Sequence, residues 1–183
     1  MTNTETIILL FVLVVLAIVF AFKELLTMLR PDRVVLVSSR IRHVEHPFLE
    51  AINTYAPQTE NMNFVELGAG YAKICTLAAR SFIWKSLIAV ERDHLALSWA
   101  RLKNRLNKLP ITYIKSDIFT YSIPQESVIY CYMSEHVVNK LYNAKAFDHC
   151  LLLSLSFAIH GVEPVAKYDL KGFQKRLYVY DFR

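Results

Sequence analysis

Residues 63–74 read Asn-Phe-Val-Glu-Leu-Gly-Ala-Gly-Tyr-Ala-Lys-Ile, and this stretch decides the fold. A short apolar run, an acid, two closely spaced glycines and a helical pattern are typical of a β-strand, a tight turn and a helix N-terminus. The chain has four glycines, and two of them, Gly68 and Gly70, lie in this turn. Glycine lets a ligand approach the backbone closely, and the helix N-terminus offers unpaired N–H groups. The stretch therefore predicts a site for a nucleotide-type cofactor.

Length and composition fit one domain with an appendage. The chain has 183 residues, 54% of them hydrophobic, and a net charge of +5 that suits a membrane surface or an acidic partner. Its three cysteines, Cys75, Cys131 and Cys150, lie in apolar runs without a C-x-x-C spacing. We expect them to be reduced core residues of a cytosolic domain, neither disulfides nor zinc ligands.

The N-terminal segment predicts a transmembrane anchor. Residues 7–22 carry no charge, and apolar residues as far as Leu29 extend the run if Lys23 snorkels. A span needs about 20 apolar residues. The alternatives are a signal peptide and a buried core helix. The segment before the run has Glu5 and no basic residue, and no A-x-A-like cleavage site follows, so we predict an anchor in residues 1–30 that contacts lipid through residues 7–29.

The charges beside this segment predict its orientation. Five basic residues follow the apolar run: Lys23, Arg30, Arg33, Arg40 and Arg42. The positive-inside rule then places the rest of the chain on the cytoplasmic side. A bacterial inner membrane is the first expectation, and a mitochondrial inner membrane is the alternative. The same arginines can rest on anionic headgroups or act only as a stop-transfer flank.

The remainder predicts an α/β domain. Residues 31–62 form a basic linker and a short helix that begins at Pro47, and residues 63–183 alternate strands with helices. Repeated βα units favour a mostly parallel sheet with helices on both faces, closed here by an antiparallel hairpin that turns at Gly172. Strands are predicted at 64–67, 86–90, 111–115, 128–133, 151–157, 164–169 and 176–181, and helices at 71–81, 93–108 and 134–142.

The helix predicted over 93–108 is amphipathic and basic. Its apolar face is predicted to hold Leu95, Ala96, Trp99, Leu102 and Leu106. Its basic neighbourhood contains Arg92, Arg101, Lys103, Arg105 and Lys108. Basic residues on a single helix are weak signals of nucleic-acid binding. We interpret them as a solvated face and expect no nucleic-acid partner.

Three acids follow the first three strands. Ligands of a doubly wound sheet bind outside the carboxyl ends of its strands. Glu91, after the second strand, can accept both hydroxyls of a ribose, and Asp117, after the third, can accept from the exocyclic amine of an adenine. Glu66 can hold the glycine turn or a cofactor ammonium. A helix cap or a solvated position is the alternative for each acid taken singly, but their register with the glycines favours a site.

The acid before the glycines favours one cofactor over another. The dinucleotide fingerprint is G-x-G-x-x-G, and its third glycine is missing here. Glu66 lies two residues before Gly68, where a pyrophosphate would be repelled and a cationic cofactor attracted. This pattern favours S-adenosylmethionine, whose sulfonium and ammonium are positive, over NAD.

With this motif the chain resembles the class I S-adenosylmethionine-dependent methyltransferases. It is more closely similar to the membrane-anchored lysine methyltransferases related to the enzymes that modify the ATP synthase c-subunit and the adenine nucleotide translocase. The resemblance covers the whole chain, including the anchor and residues 46–48, 66–74, 89–91, 116–119, 154–157 and 177–180. It implies a Rossmann-like class I methyltransferase domain over 63–183 that binds S-adenosylmethionine.

The resemblance also implies roles for single residues. Glu66, Gly68, Ala69 and Gly70 would lie on the methionine side, Glu91 at the ribose, and Asp117 and Ile118 at the adenine. The group has Gly-Asp-Gly-Arg where this chain has Gly70-Tyr71-Ala72-Lys73. The difference removes an acidic acceptor and one glycine. It leaves open a non-catalytic scaffold with a degenerate cofactor site.

The candidate catalytic residues are Tyr132, Glu135 and His46. A lysine acceptor has a reference pKa near 10.4 and must lose a proton before it attacks. Aromatic rings near the fourth strand can hold a methylammonium by cation–π contact, although Tyr130 and Tyr132 alternate in that strand and can equally be core residues.

The anchor and the small domain together predict a methyltransferase for a lysine of a membrane-embedded protein. The alternative acceptor is a lipid or a small amphiphile.

Overall fold

The first unit of the chain contains one long apolar helix. The computed structural model describes residues 3–28, 41–172 and 176–183, and the chain divides into two units, Met1–Val35 and Leu36–Arg183. Helix α1, Asn3–Met28, belongs to the first unit.

The apolar part of α1 meets the length and composition expected of a membrane span. Its window Thr4–Phe22 has a mean hydropathy of 3.0, and none of it is buried. A signal sequence near an N-terminus meets the same criterion. The predicted helix end at Pro31-Asp32 lies outside the described residues.

The second unit is built on a seven-stranded sheet with the order β3-β2-β1-β4-β5-β7-β6. The first five strands are parallel, β7 is antiparallel to β5, and β6 is antiparallel to β7. The predicted mostly parallel sheet with a closing hairpin is thus confirmed. The strands are β1 Asn63–Leu67, β2 Ser86–Glu91, β3 Ile111–Lys115, β4 Ser127–Cys131, β5 Leu151–Leu155, β6 Ala166–Asp169 and β7 Arg176–Asp181.

Helices cover both faces of this sheet. They are α2 Ile41–Tyr55, α3 Lys73–Ser81, α4 His94–Asn107 and α5 Glu135–Asn143. Apolar residues of α2 and α3 pack in one core cluster with Phe64 and Tyr130. Apolar residues of α5 pack in a second cluster with Val65 and Ile129. Successive strand residues therefore enter opposite clusters, which explains why β1, β4 and β5 are buried along their whole length.

Helix α2 begins earlier than the sequence predicted. It starts at Ile41 and contains Pro47 in its interior, so Pro47 is not the first helical residue. An interior proline costs about 3 kcal/mol. Val44 and Phe48 are both fully buried one helical turn apart, and burying two such side chains contributes about 3–6 kcal/mol. This burial offsets the proline and holds the preceding turn in the helix.

Helix α4 does not turn its predicted apolar face to the sheet. Ala96 is buried together with Leu97 and Ala100. The large residues of the predicted face are exposed: Leu95, Trp99, Leu102 and Leu106. Two of the three buried residues are alanines, which allow the helix to pack close to β2 and β3.

Other predicted features hold with small shifts. Asp93 is the N-cap of α4, and its carboxylate accepts from Leu95 N and Ala96 N. All three cysteines are buried and free. The predicted helix over 71–81 begins two residues later, at Lys73, because the preceding residue has a left-handed backbone.

Candidate functional site

The carboxyl ends of the parallel strands meet at one edge of the sheet. Leu67 of β1 pairs with Val90 of β2 and with Cys131 of β4, and Glu91 pairs with Lys115 of β3. The loops that follow these residues therefore leave the sheet side by side. We call this edge, with its loops, the carboxyl edge.

The glycine turn after β1 requires three left-handed residues. Gly68, Gly70 and Ala72 have φ angles of +65°, +52° and +49°. Ala72 adopts this conformation although it carries a side chain, at a cost of about 1–2 kcal/mol. Ala69 N donates to Val90 O at 2.9 Å, so the turn is tied to the neighbouring strand. Gly68 is the exposed glycine of this turn, and without a side chain it lets a ligand approach the backbone closely.

Glu91 connects the glycine turn to helix α4. Its Oε2 accepts from Gly70 N at 2.8 Å, and its Oε1 accepts from Asp93 N at 2.8 Å. The residue is 8% exposed. A carboxylate offers about four lone-pair positions, so each oxygen has room to accept a further donor such as a hydroxyl.

Glu66 holds the start of helix α3. The N-cap residue, Ala72, has no side chain that can accept a hydrogen bond. The Glu66 carboxylate replaces that cap, because its Oε2 accepts from Cys75 N at 2.7 Å. These contacts show support of helix α3, and the predicted role of Glu66 in holding the glycine turn stays a prediction. Whether it also binds a cofactor stays a prediction.

Burial makes the Glu66 carboxyl hold its proton unusually tightly. Desolvation raises its pKa from 4.5 to about 7, while hydrogen bonds from the N–H groups of Cys75 and Ile74 oppose the rise. The positive end of α3 favours the charged form of Glu66.

Asp117 shapes the loop after β3. Its Oδ1 accepts from Phe119 N at 2.9 Å, and its Oδ2 lies 3.7 Å from Arg92 Nη1. Ser116 N donates to Glu91 O at 3.2 Å, which joins this loop to the end of β2. Ile118 packs on the second core cluster. The structure thus brings together the acids predicted after β2 and β3.

The loop after β4 carries two of the three predicted catalytic residues. Tyr132 stacks on Phe157 with ring centroids 6.4 Å apart. Glu135, the first residue of α5, forms a hydrogen bond through Oε1 with His160 Nε2. His46 is not part of this group in the contacts described: its exposed ring lies 3.6 Å from Glu50 within α2. Tyr130 is a core residue that packs edge-on against Phe48.

Sequence reasoning missed two residues of this region. His160 is an exposed residue, and its pairing with Glu135 joins positions 25 apart in sequence. Ser156 directly follows β5 with φ +70°. Among the described residues, its Oγ is the buried side-chain polar atom without a hydrogen-bond partner. No local pattern signals either feature.

Solved structures show the same fold. The sequence matches no protein-family model and no curated protein. An RNA methyltransferase from Salinibacter ruber, in complex with S-adenosyl-L-homocysteine, shares 19% identity and a TM-score of 0.65 over 80% of this chain and 94% of its own. The METTL16 methyltransferase domain shares 15% identity and a TM-score of 0.60 over 81% of this chain and 70% of its own.

A third similar structure is the ribosomal protein L11 methylase from Lactobacillus delbrueckii subsp. bulgaricus. It shares 11% identity and a TM-score of 0.58 over 74% of this chain and 77% of its own. Together with the strand order, these likenesses confirm a Rossmann-like methyltransferase fold.

The buried Glu66 carboxyl predicts a pH-dependent stability. A carboxyl with a raised pKa in the folded state stabilises the fold below its unfolded pKa, and this contribution is lost as pH rises through the folded value. The contribution of Glu66 to the free energy of unfolding should therefore fall between pH 4.5 and about 7. Glu66→Gln removes the titration. Relative to wild type, the variant should gain about 3 kcal/mol between about pH 4 and about pH 8.

Chemical unfolding of the full chain in detergent at several pH values measures this difference. Glu60→Gln, at an exposed position, is the matched control and should follow wild type throughout. A difference between Glu66→Gln and wild type that does not change with pH would contradict the assigned titration.

Proposed function

We propose that this chain is an S-adenosylmethionine-dependent methyltransferase, held at a membrane by α1, that N-methylates a lysine of a membrane protein. The observation that carries the proposal is the buried Glu91 carboxylate, hydrogen-bonded to the glycine turn at the carboxyl edge of a methyltransferase-type sheet. Glu91 lies at the end of the strand that follows the turn, where a doubly wound sheet binds ribose hydroxyls.

The residues at the carboxyl edge fit this cofactor. Gly68 directly follows β1 and leaves the backbone there without a side chain. A Cβ atom added at Gly68 would lie 3.5 Å from Met133 Cε. Each Glu91 oxygen accepts a single N–H in the contacts described, which leaves acceptor capacity for a ribose. Asp117 is partly exposed, with its side chain 38% accessible, at the end of the neighbouring strand.

The proposed cofactor contacts follow from these positions. Gly68, Ala69 and Gly70 would hold the methionine part, Glu91 the ribose, and Asp117 with Ile118 the adenine. Glu66 would set the position of the turn and place a negative charge near the cationic end. When bound, S-adenosylmethionine supplies an electrophilic methyl group.

The chain's own task is then to deliver a neutral amine. A lysine ammonium has an ordinary pKa near 10.4, so it must give up a proton before it can attack. We assign that proton to the Glu135 carboxylate, which is hydrogen-bonded to His160. The pair is open to solvent, with side chains 53% and 73% accessible, so the proton can pass on to water. Stacked Tyr132 and Phe157 would hold the cationic amine by cation–π contact.

The form of the domain supports a macromolecular acceptor. Between β1 and β6 the connections are short, and residues 116–126 and 156–165 join strands without a helix. Such short connections provide little cover over the site, which remains open to a side chain presented by another protein. The apolar helix α1 supports an acceptor in the membrane, because it has the length and composition to hold the domain there.

Loss of the Glu91 carboxylate should abolish tight cofactor binding. Glu91→Ala removes charge-assisted hydrogen bonds, each contributing about 1.5–3 kcal/mol, so affinity for S-adenosylmethionine should fall at least about 10-fold. Calorimetric titration of the full chain in detergent measures it. Asp93→Ala, which removes the α4 cap two residues away, should leave affinity unchanged. A folded wild-type protein that binds no S-adenosylmethionine would instead support the degenerate scaffold.

Substitutions at two glycines with similar left-handed φ angles can separate an effect on cofactor binding from an effect on stability. Gly68 has φ +65° in the turn, and Gly161 has φ +71° with nothing within 4 Å of an added side-chain carbon. Gly68→Ala and Gly161→Ala should each lower the free energy of unfolding by about 1–2 kcal/mol. Only Gly68→Ala should also weaken cofactor binding. Equal affinities of the two variants would remove the glycine turn from the cofactor site.

The acceptor is identified by where the transferred methyl group appears. Membranes containing the full chain and methyl-labelled S-adenosylmethionine should yield label in a membrane protein, as methyl-lysine after hydrolysis. The same membranes with Glu91→Ala should yield none. Label in the organic extract would indicate that the acceptor is a lipid and not a lysine. Label in RNA would overturn the assignment of a protein acceptor.

A further inference from the structure

Helix α4 carries an exposed stripe of large apolar residues. The α4 stripe consists of Leu95, Trp99, Leu102 and Leu106, which are 56%, 61%, 54% and 82% exposed. Their spacings of four, three and four residues place them in one row along the helix, since each residue advances by about 100°. The opposite side is the buried one, with Ala96, Leu97 and Ala100 against the sheet. The core of the chain's own domain therefore cannot cover the α4 stripe.

The charges around the α4 stripe have one sign. Lys103 and Arg105 are exposed and lie on either side of the row, roughly 70–90° from its centre by the same helical geometry. By the same geometry Arg101 lies on the far side of the helix, and Arg92, which precedes the helix, faces Asp117 at 3.7 Å, so Lys103 and Arg105 are the cations that flank the row. The one acid of this segment, Asp93, is occupied as the N-cap. An apolar row edged by cations matches the headgroup and acyl layers of an anionic bilayer.

We propose that the α4 stripe docks on an anionic lipid surface and orients the catalytic domain there. Leu95, Trp99, Leu102 and Leu106 would enter the headgroup–acyl boundary, while Lys103 and Arg105 extend to lipid phosphates. A second copy of this chain fits less well, because two basic faces repel each other. RNA fits less well because three of the four residues are leucines, which offer no stacking surface for bases.

This inference deepens the proposed function and rests on its membrane anchor. Residues 29–40 separate α1 from α2 in sequence, and twelve residues reach at most about 43 Å. If α1 spans the bilayer, the domain is therefore retained near the lipid surface. The stripe begins at Leu95, four residues after Glu91. Docking of α4 would thus hold the carboxyl edge in a fixed relation to the membrane, where an embedded acceptor presents its lysine.

The two tryptophans of the chain allow a direct test. Trp84 is buried, 8% exposed, and Trp99 is the exposed aromatic residue of the stripe. The fluorescence difference between the full-length wild type and Trp99→Phe reports Trp99 alone and leaves Trp84 in place. The proteins are reconstituted into vesicles of phosphatidylcholine, with or without phosphatidylglycerol, and flotation is measured in parallel.

Docking predicts that Trp99 emission shifts to shorter wavelength on vesicles containing phosphatidylglycerol and is quenched by lipids brominated in their acyl chains. Lys103→Gln with Arg105→Gln should lower the ratio of docked to undocked protein by about 30-fold, at about 1 kcal/mol per charge. Lys85→Gln with Lys145→Gln removes two exposed charges elsewhere and should leave the ratio unchanged.

Flotation separates failure of docking from failure of the anchor. Flotation with both kinds of vesicle and an unshifted Trp99 overturns docking and leaves the anchor in place. Flotation only with anionic vesicles, together with a shifted Trp99, supports docking without the anchor. No flotation overturns both. A Trp99 signal that responds to added RNA, or to protein density instead of lipid charge, overturns the lipid assignment in favour of that partner.

Discussion

A single buried carboxylate joins the parts of the carboxyl edge. Glu91 accepts from the backbone of Gly70 in the turn after β1 and from the backbone of Asp93 at the start of α4. The turn contains Ala72 in a left-handed conformation, which is unfavourable for a residue with a side chain. Because the carboxylate lies at the end of β2, it fixes the turn relative to the sheet. Strand β2 ends at Glu91, and helix α4 is capped by Asp93 two residues later. The Glu91 side chain therefore positions both the glycine turn and the start of α4.

At the same carboxyl edge, the structure buries the ionisable carboxyl group of Glu66, which costs free energy of desolvation. Desolvation raises the pKa of this carboxyl to about 7. An unpaired charge in that position would be strongly destabilising. The amide groups at the start of α3 reduce the cost, since they need an acceptor that Ala72 does not provide. The buried acid and the uncapped helix therefore satisfy each other, and β1 and α3 are held in register.

The chain exposes apolar surface in two different forms. Helix α1 is apolar on all sides along residues 7–22, which suits complete immersion in lipid. Helix α4 is apolar on one row and basic beside it, which suits an interface. Under the proposed function the first would hold the protein at the membrane and the second would orient it. A methyltransferase domain with few insertions would gain from such orientation, because its short loops do little to select an acceptor.

The sequence by itself determined the order and type of the elements. Continuous apolar runs marked the parallel strands, Asp93 marked the start of α4, and the spacing of Glu66, Gly68 and Gly70 marked the turn. These signals are local, because burial on both faces, capping and positive φ each depend on a few neighbouring residues. The alternation of βα units also indicated a mostly parallel sheet, whereas the order of its strands came from the tertiary structure.

Only the tertiary structure decided which side of each helix is buried and which distant residues meet. The apolar periodicity of α4 predicted a buried face with Leu95 and Leu106, but the residues buried against the sheet are Ala96, Leu97 and Ala100. Pro47 lies inside α2 because Val44 and Phe48 find a core formed by β1 and β4. The contact between Glu135 and His160 joins the start of α5 to the loop after β5, at positions 25 residues apart. Such contacts depend on how the layers close on each other, and no local pattern carries that information.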